Sequence, residues 1–139
     1  MFNAILVPVD LTVPSDTSDL LARARTLKDT WGSTVHVASV LPDVGYPIVS
    51  AQLAPGADKD QQARARGELQ VAVREAGLEA ELHVATGTIY DRVIHLAEKL
   101  SVDLIVIGAH RPELKDYLLG SNAARLVRHS NRSVLVVRH

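Results

Sequence analysis

Asp103-Leu104-Ile105-Val106-Ile107-Gly108-Ala109-His110-Arg111 is the stretch on which the fold turns. Its apolar residues lack the polar alternation of a half-exposed strand, so residues 103–107 read as a strand covered on both faces. Ala4-Ile5-Leu6-Val7-Pro8-Val9 and Ser133-Val134-Leu135-Val136-Val137 read the same way. Two more runs rich in β-branched residues, Thr34–Leu41 and residues 81–85, bring the strands to five. Strands buried on both sides belong to parallel sheets, because only helices laid on each face can cover them.

The segments between the strands supply those helices. Leu20, Ala24, Leu27 and Trp31 recur at helical spacing, with Ser15 or Ser18 as N-cap and Gly32 just beyond. Ala65, Leu69, Ala72 and Ala76 form a second stripe, ended by Gly77 as a C-cap. Ile89, Val93, Leu96 and Leu100 form a third, and Ala123, Leu126 and Val127 a shorter fourth. Residues 43–60 have no periodicity and carry Gly45, Pro47, Pro55 and Gly56, so they read as a long loop. Strand and helix therefore alternate as βαβ units. The expected fold is α/β, a Rossmann-like open five-stranded parallel sheet of order 3-2-1-4-5, with four helices on both faces.

Bulk properties narrow the function classes. The chain has 139 residues, of which 47% are hydrophobic, enough for one domain over 1–139 with its own core. A net charge of −1 and a pI near 6.6 argue against a nucleic-acid binder. The absence of cysteine excludes disulfides, thiolate metal sites and a cysteine nucleophile. The apolar stretch at 4–9 is too short for a signal peptide, and no run is long enough to span a membrane. A cytoplasmic domain is expected.

An open parallel sheet binds ligands beyond the carboxyl ends of its strands, where the strand order reverses. Here that point lies between the first and fourth strands, so Pro8, Val9 and Asp10 should face Gly108, Ala109, His110 and Arg111. Asp10 has two readings: a carboxylate for ribose hydroxyls or a divalent cation, or a turn-capping residue. After the segment 112–119, Gly120-Ser121-Asn122-Ala123 opens the fourth helix, whose free N–H groups and dipole suit an anion. Ser121 could equally cap that helix with no ligand present. Neither GxxxxGK[ST] nor a GxGxxG after the first strand occurs, which argues against a P-loop ATPase or a hydride-transfer enzyme.

Other candidates have simpler readings. His36 and His83 lie on strands at alternate positions with a spacing that makes no ligand pair, so they read as packed or surface histidines, and the echo His36-Val37-Ala38 and His83-Val84-Ala85 as coincidence. Arg125, Arg128 and Arg132 read as a solvated face, Lys115 and Asp116 as a surface pair, and Trp31 as core.

The segments Ile5-Leu6-Val7-Pro8-Val9-Asp10, 103–110, Leu118-Leu119-Gly120-Ser121-Asn122-Ala123-Ala124 and 130–137 together resemble the universal stress protein family over essentially the whole chain. The phrases His110-Arg111-Pro112-Glu113 and Tyr117-Leu118-Leu119-Gly120-Ser121-Asn122 are similar to its small bacterial F/G-type members, regarded as nucleotide binders. In ATP-binding members the motif runs Gly, two residues, Gly, nine residues, then Gly with Ser or Thr. Gly108, Gly120 and Ser121 match, but Arg111 replaces the second glycine and only eight residues separate it from Gly120. The resemblance implies that Pro8, Val9 and Asp10 line the adenosine side, with Val40 beside the adenine. It also implies that Gly108, Gly120, Ser121, Asn122 and the adjoining Ile107 and Ala123 hold ribose and phosphates. His110 and Arg111 lie within the motif; Arg111 either grips a phosphate with its side chain or faces solvent.

The ligand so implied is ATP, with Mg²⁺ or Mn²⁺ as an option at Asp10. No convincing base for phosphoryl transfer accompanies it, which favours a regulatory binding module over an enzyme. A slow hydrolase or nucleotidyl transferase on the same fold, and a member that has lost nucleotide binding, remain the alternatives. Ser133–Val137 is an apolar edge strand flanked by Arg132 and Arg138, expected to pair two copies as a twofold homodimer. A protein partner in regulation also belongs to this expectation.

Overall fold

The computed structural model describes residues 1–42, 57–109 and 120–138, the side chains of 57 and 58 excepted. Within them the order is β1 (Ala4–Val9), α1 (Pro14–Trp31), β2 (Thr34–Leu41), α2 (Ala57–Glu75), β3 (Glu81–Thr86), α3 (Ile89–Lys99), β4 (Leu104–Gly108), α4 (Ser121–His129) and β5 (Ser133–Val137). The sheet is parallel throughout, in the order β3-β2-β1-β4-β5. The expected fold class and strand order are thus found. Of the loop expected over 43–60, residues 57–60 instead belong to α2, and 43–56 lie outside the described residues.

Alternation along each strand builds two cores. Ile5, Val7, Val35, Val37, Leu104 and Val106 face α1 and α2, where Leu20, Leu21, Ala24 and Leu69 meet them. Leu6, Ala38, Ile105 and Ile107 face α3 and α4, where Val93, Leu96, Ala97, Ala123 and Leu126 meet them. Burying one such aliphatic side chain contributes about 1.5–3 kcal/mol, so the central strands, covered twice, carry most of the favourable term. Trp31, expected in the core, sits at its rim, edge-on to Phe2 with ring centroids 5.2 Å apart. Val127 leaves its expected stripe and is 51% exposed.

Helix ends show how local chemistry sets the boundaries. Neither Ser15 nor Ser18 caps α1; the helix starts earlier, at Pro14, with Val13 as N-cap and no side-chain cap. Proline fits that first position because its fixed φ is already helical and its missing N–H has no intrahelical acceptor there. Gly32, at φ +67°, ends α1 by donating to the Lys28 carbonyl. Gly77, at φ +65°, donates to the Arg74 carbonyl while Leu78 donates to that of Val73, a Schellman ending that turns the chain toward β3. The aminoterminal edge of β1 is tied to β4 by Asp103. Its Oδ1 accepts from the Ala4 N–H at 2.9 Å and its Oδ2 from that of Asn3 at 3.0 Å. Asp103 therefore precedes β4 as a clasp, whereas the strand was expected to run over 103–107 and instead spans Leu104–Gly108.

Candidate functional site

The crevice between β1 and β4 is built by a break in pairing. β1 and β2 stay in register over the six positions Ala4↔Thr34 to Val9↔Ser39, whereas β1 and β4 pair only at Ile5↔Leu104 and Leu6↔Ile105. Pro8 contributes to this parting, since it has no N–H to give the ladder. The strands therefore diverge toward their carboxyl ends. Pro8, Val9 and Asp10 end one side of the gap, and Ile107, Gly108 and Ala109 end the other.

The first turn of α4 is delivered to the same place. Ala109 donates to the Val137 carbonyl at 2.9 Å, and Gly120 donates to the Ala109 carbonyl at 3.3 Å. The first ties the end of β4 to β5, and the second fastens the start of α4 directly to the end of β4. Gly120 is the N-cap, with extended backbone and no side-chain cap, so Ser121 is the first helical residue and not the cap itself. The first intrahelical bond is from Ala124 to the Gly120 carbonyl. The N–H groups of Asn122 and Ala123 consequently have no acceptor within the helix. Ala123 and Leu126 are buried and hold the helix down, while Ser121 is exposed and Asn122 half-buried.

Gly108 faces α1. A methyl group added there would meet Leu20 Cδ1 at 3.6 Å, an ordinary contact. Among the described residues, therefore, nothing crowds that position. Val40 lies on the opposite face of the sheet, beside Ala85 in register and near the carboxyl end of β2.

Asp10 takes the turn-capping role. Its Oδ1 accepts from the Thr12 N–H at 2.9 Å and the Thr12 hydroxyl at 2.6 Å, and its carbonyl accepts from the Thr17 hydroxyl at 2.7 Å. These bonds shape the entry to α1 and hold the carboxylate at the crevice, exposed to solvent. Among the described residues nothing donates to its Oδ2. His110 and Arg111, and Lys115 with Asp116, lie outside the described residues.

One grouping escaped the sequence reading. The β2–β3 pairing sets His36 opposite Glu81 and Ala38 opposite His83. His36 Nδ1 lies 3.0 Å from His83 Nε2 and 3.1 Å from Glu81 Oε2. The large separation in sequence concealed this pair, and the correction comes from strand adjacency. The repeated His-Val-Ala phrase was the available signal, because the order 3-2-1-4-5 already made those two strands neighbours.

No helix among the described residues is long and apolar enough to cross a membrane. Comparison with known proteins agrees with the architecture. Residues 1–138 match the universal stress protein family. Universal stress protein G of Shigella flexneri is 33% identical over 143 residues, covering 99% of this chain and 100% of its own. The solved structure of MJ0577, a protein of Methanocaldococcus jannaschii, superposes with a TM-score of 0.79 at 23% identity, covering 100% of this chain and 97% of that one. A universal stress protein solved in complex with cAMP superposes with a TM-score of 0.68 at 22% identity, covering 99% and 97%. With the family matched nearly end to end and the same open sheet in the solved relatives, the chain belongs to the universal stress protein family.

Proposed function

We propose that the chain is a single-domain, cytoplasmic adenine-nucleotide-binding module that regulates rather than catalyses, with ATP as its ligand. The observation that carries this reading is the bond from Gly120 to the Ala109 carbonyl, which brings a helix start to the mouth of the β1–β4 gap. Anions favour such a start because unpaired N–H groups and the helix dipole act together there. The cAMP held by one relative supports the choice of an adenine nucleotide.

In this reading Pro8, Val9, Asp10 and Val40 receive the adenosine. Ile107, Gly108, Gly120, Ser121, Asn122 and Ala123 receive ribose and phosphates. His110 and Arg111 join them by their place in the motif, with the Arg111 guanidinium replacing backbone donors that a glycine would offer. Asp10 meets a Mg²⁺ or Mn²⁺ ion only through Oδ2, because its Oδ1 is engaged by Thr12. The protein acts as a twofold homodimer through β5 and reports nucleotide occupancy to a protein partner.

Calorimetric titration with ATP tests the reading. Asn122→Asp is the discriminating variant, since a carboxylate in the first turn favours the helix yet repels phosphate. The expected result is a folded protein with weaker ATP binding, and Arg111→Ala should weaken it too. No binding at millimolar ATP by the unaltered chain would refute the proposal. Turnover with magnesium well above background, lost in Asp10→Ala, would replace the regulatory reading with a hydrolase.

A further inference from the structure

We propose that His36, Glu81 and His83 form a site for one divalent transition-metal ion of the zinc type. The three ligand atoms already lie within 4.8 Å of one another. On a tetrahedral ion with bonds of about 2.05 Å, neighbouring ligand atoms stand about 3.3 Å apart. The separations of 3.0 Å and 3.1 Å around His36 Nδ1 are close to that value. Two imidazoles with one carboxylate are a ligand set that suits zinc and its neighbours, and they leave a fourth position for water.

The parallel strands provide the rigidity. His36 and His83 project from adjacent strands on the face covered by α3 and α4, and the His36 side chain is 8% exposed. Glu81 is the mobile member: its side chain is 66% exposed, so it can swing toward the rings without disturbing any packing. The ion is taken by neutral imidazoles, and the Glu81 carboxylate supplies the negative charge at the site.

The site is distinct from the nucleotide crevice. His36 is the third residue of β2 and Glu81 the first of β3, at the end of the sheet away from the carboxyl termini of the strands. A bound ion would bridge the edge strand β3 to β2 and fix that margin of the sheet. This inference stands whether or not ATP binds.

Zinc titration by calorimetry against a competing chelator, on the untagged chain without nucleotide, provides the test. Unaltered protein should bind one zinc ion and melt at a higher temperature with it. Glu81→Gln and His83→Gln should each weaken binding by about tenfold or more, while His95→Gln, on the exposed side of α3, should change nothing. Cobalt(II) gives an independent readout: intense visible absorption of a four-coordinate ion is expected, and its loss in His83→Gln. The site is overturned if the unaltered chain takes up no zinc, if either variant keeps full affinity, or if bound cobalt absorbs only like the hydrated ion.

Discussion

Asp103 and His83 show how single residues make the fold sensitive to pH. The N–H of Asn3, then that of Ala4, hold the Asp103 carboxyl below the usual carboxylate range. A depressed folded value means that the contribution is complete above the unfolded value near 3.8 and disappears as pH falls through the folded one. Asp103→Asn should therefore lower stability by roughly 1 kcal/mol at neutral pH and flatten the acid limb of the unfolding curve. Urea melts across that limb measure both effects. His83 behaves with the opposite charge and the same slope. Burial, with the His36 ring acting the same way and Glu81 opposing, holds its ring below the ordinary histidine value, so the unfolded chain takes up the proton first as pH falls. Stability in a chelator should decline as pH drops below about 6.5, until the folded ring also protonates. His83→Gln should remove that part of the slope, and an unchanged slope would assign it to another group.

At the scale of elements, two glycines in and after α2 make opposite predictions from one helix. Gly77 adopts φ +65°, and a methyl group there would also lie 2.7 Å from Arg25 Nη1. Gly77→Ala should cost about 1–2 kcal/mol, chiefly from the left-handed backbone. Gly67 lies inside the helix with open space around it, so Gly67→Ala should stabilise by about 0.5–1 kcal/mol. Paired denaturation curves decide both signs. Helix α4 offers a further test. It is 9 residues long, and Leu126, fully buried, is its main anchor. Leu126→Ala should cost about 2–5 kcal/mol and weaken ATP binding as the helix start loosens.

These elements also show what the sequence could reveal. The strands were legible because burial on two faces leaves an unbroken apolar run, as in Leu104-Ile105-Val106-Ile107. Gly77 was legible because a left-handed helix ending has few alternatives. The start of α1 was not, since Ser15, Asp16, Thr17 and Ser18 compete near it and the outcome rests on Thr17 and Thr12 bonding back to Asp10. Asp10 itself kept two readings because a turn and a ligand ask for the same carboxylate. The crevice was placed by topology alone, but the fastening of Gly120 to Ala109 depends on three-dimensional closure over a segment with no pattern. The His36–Glu81–His83 cluster arises from the register between β2 and β3, which the apolar pattern of each strand read alone does not give.

Across the whole molecule the two edges of the sheet are treated differently, and that difference argues for the mode of association. At β3 the margin carries the Glu81 carboxylate, and α2 reaches over it: Arg66 donates to the Leu82 carbonyl and Gln62 to the Thr86 hydroxyl, each at 3.4 Å. Charge and crossing side chains discourage a second strand from adding there. At β5, Ser133 and Leu135 are exposed, and Leu135 keeps 41% of its surface in solvent. Val134 and Val136 turn toward the second core and Val137 enters the first, so Ser133 and Leu135 are the side chains that β5 leaves exposed beside its unpaired backbone edge. If two copies associate, β5 is the edge left available. Leu135→Glu puts a charge on that strip without entering either core, so the protein should stay folded while the dimer dissociates. Val136→Pro should give the same result by removing an N–H, at some expense to packing against the second core. Sedimentation equilibrium distinguishes the outcomes. A monomeric, cooperatively melting Leu135→Glu protein supports pairing through β5, and an unaltered dimer mass in both variants places the interface on another surface.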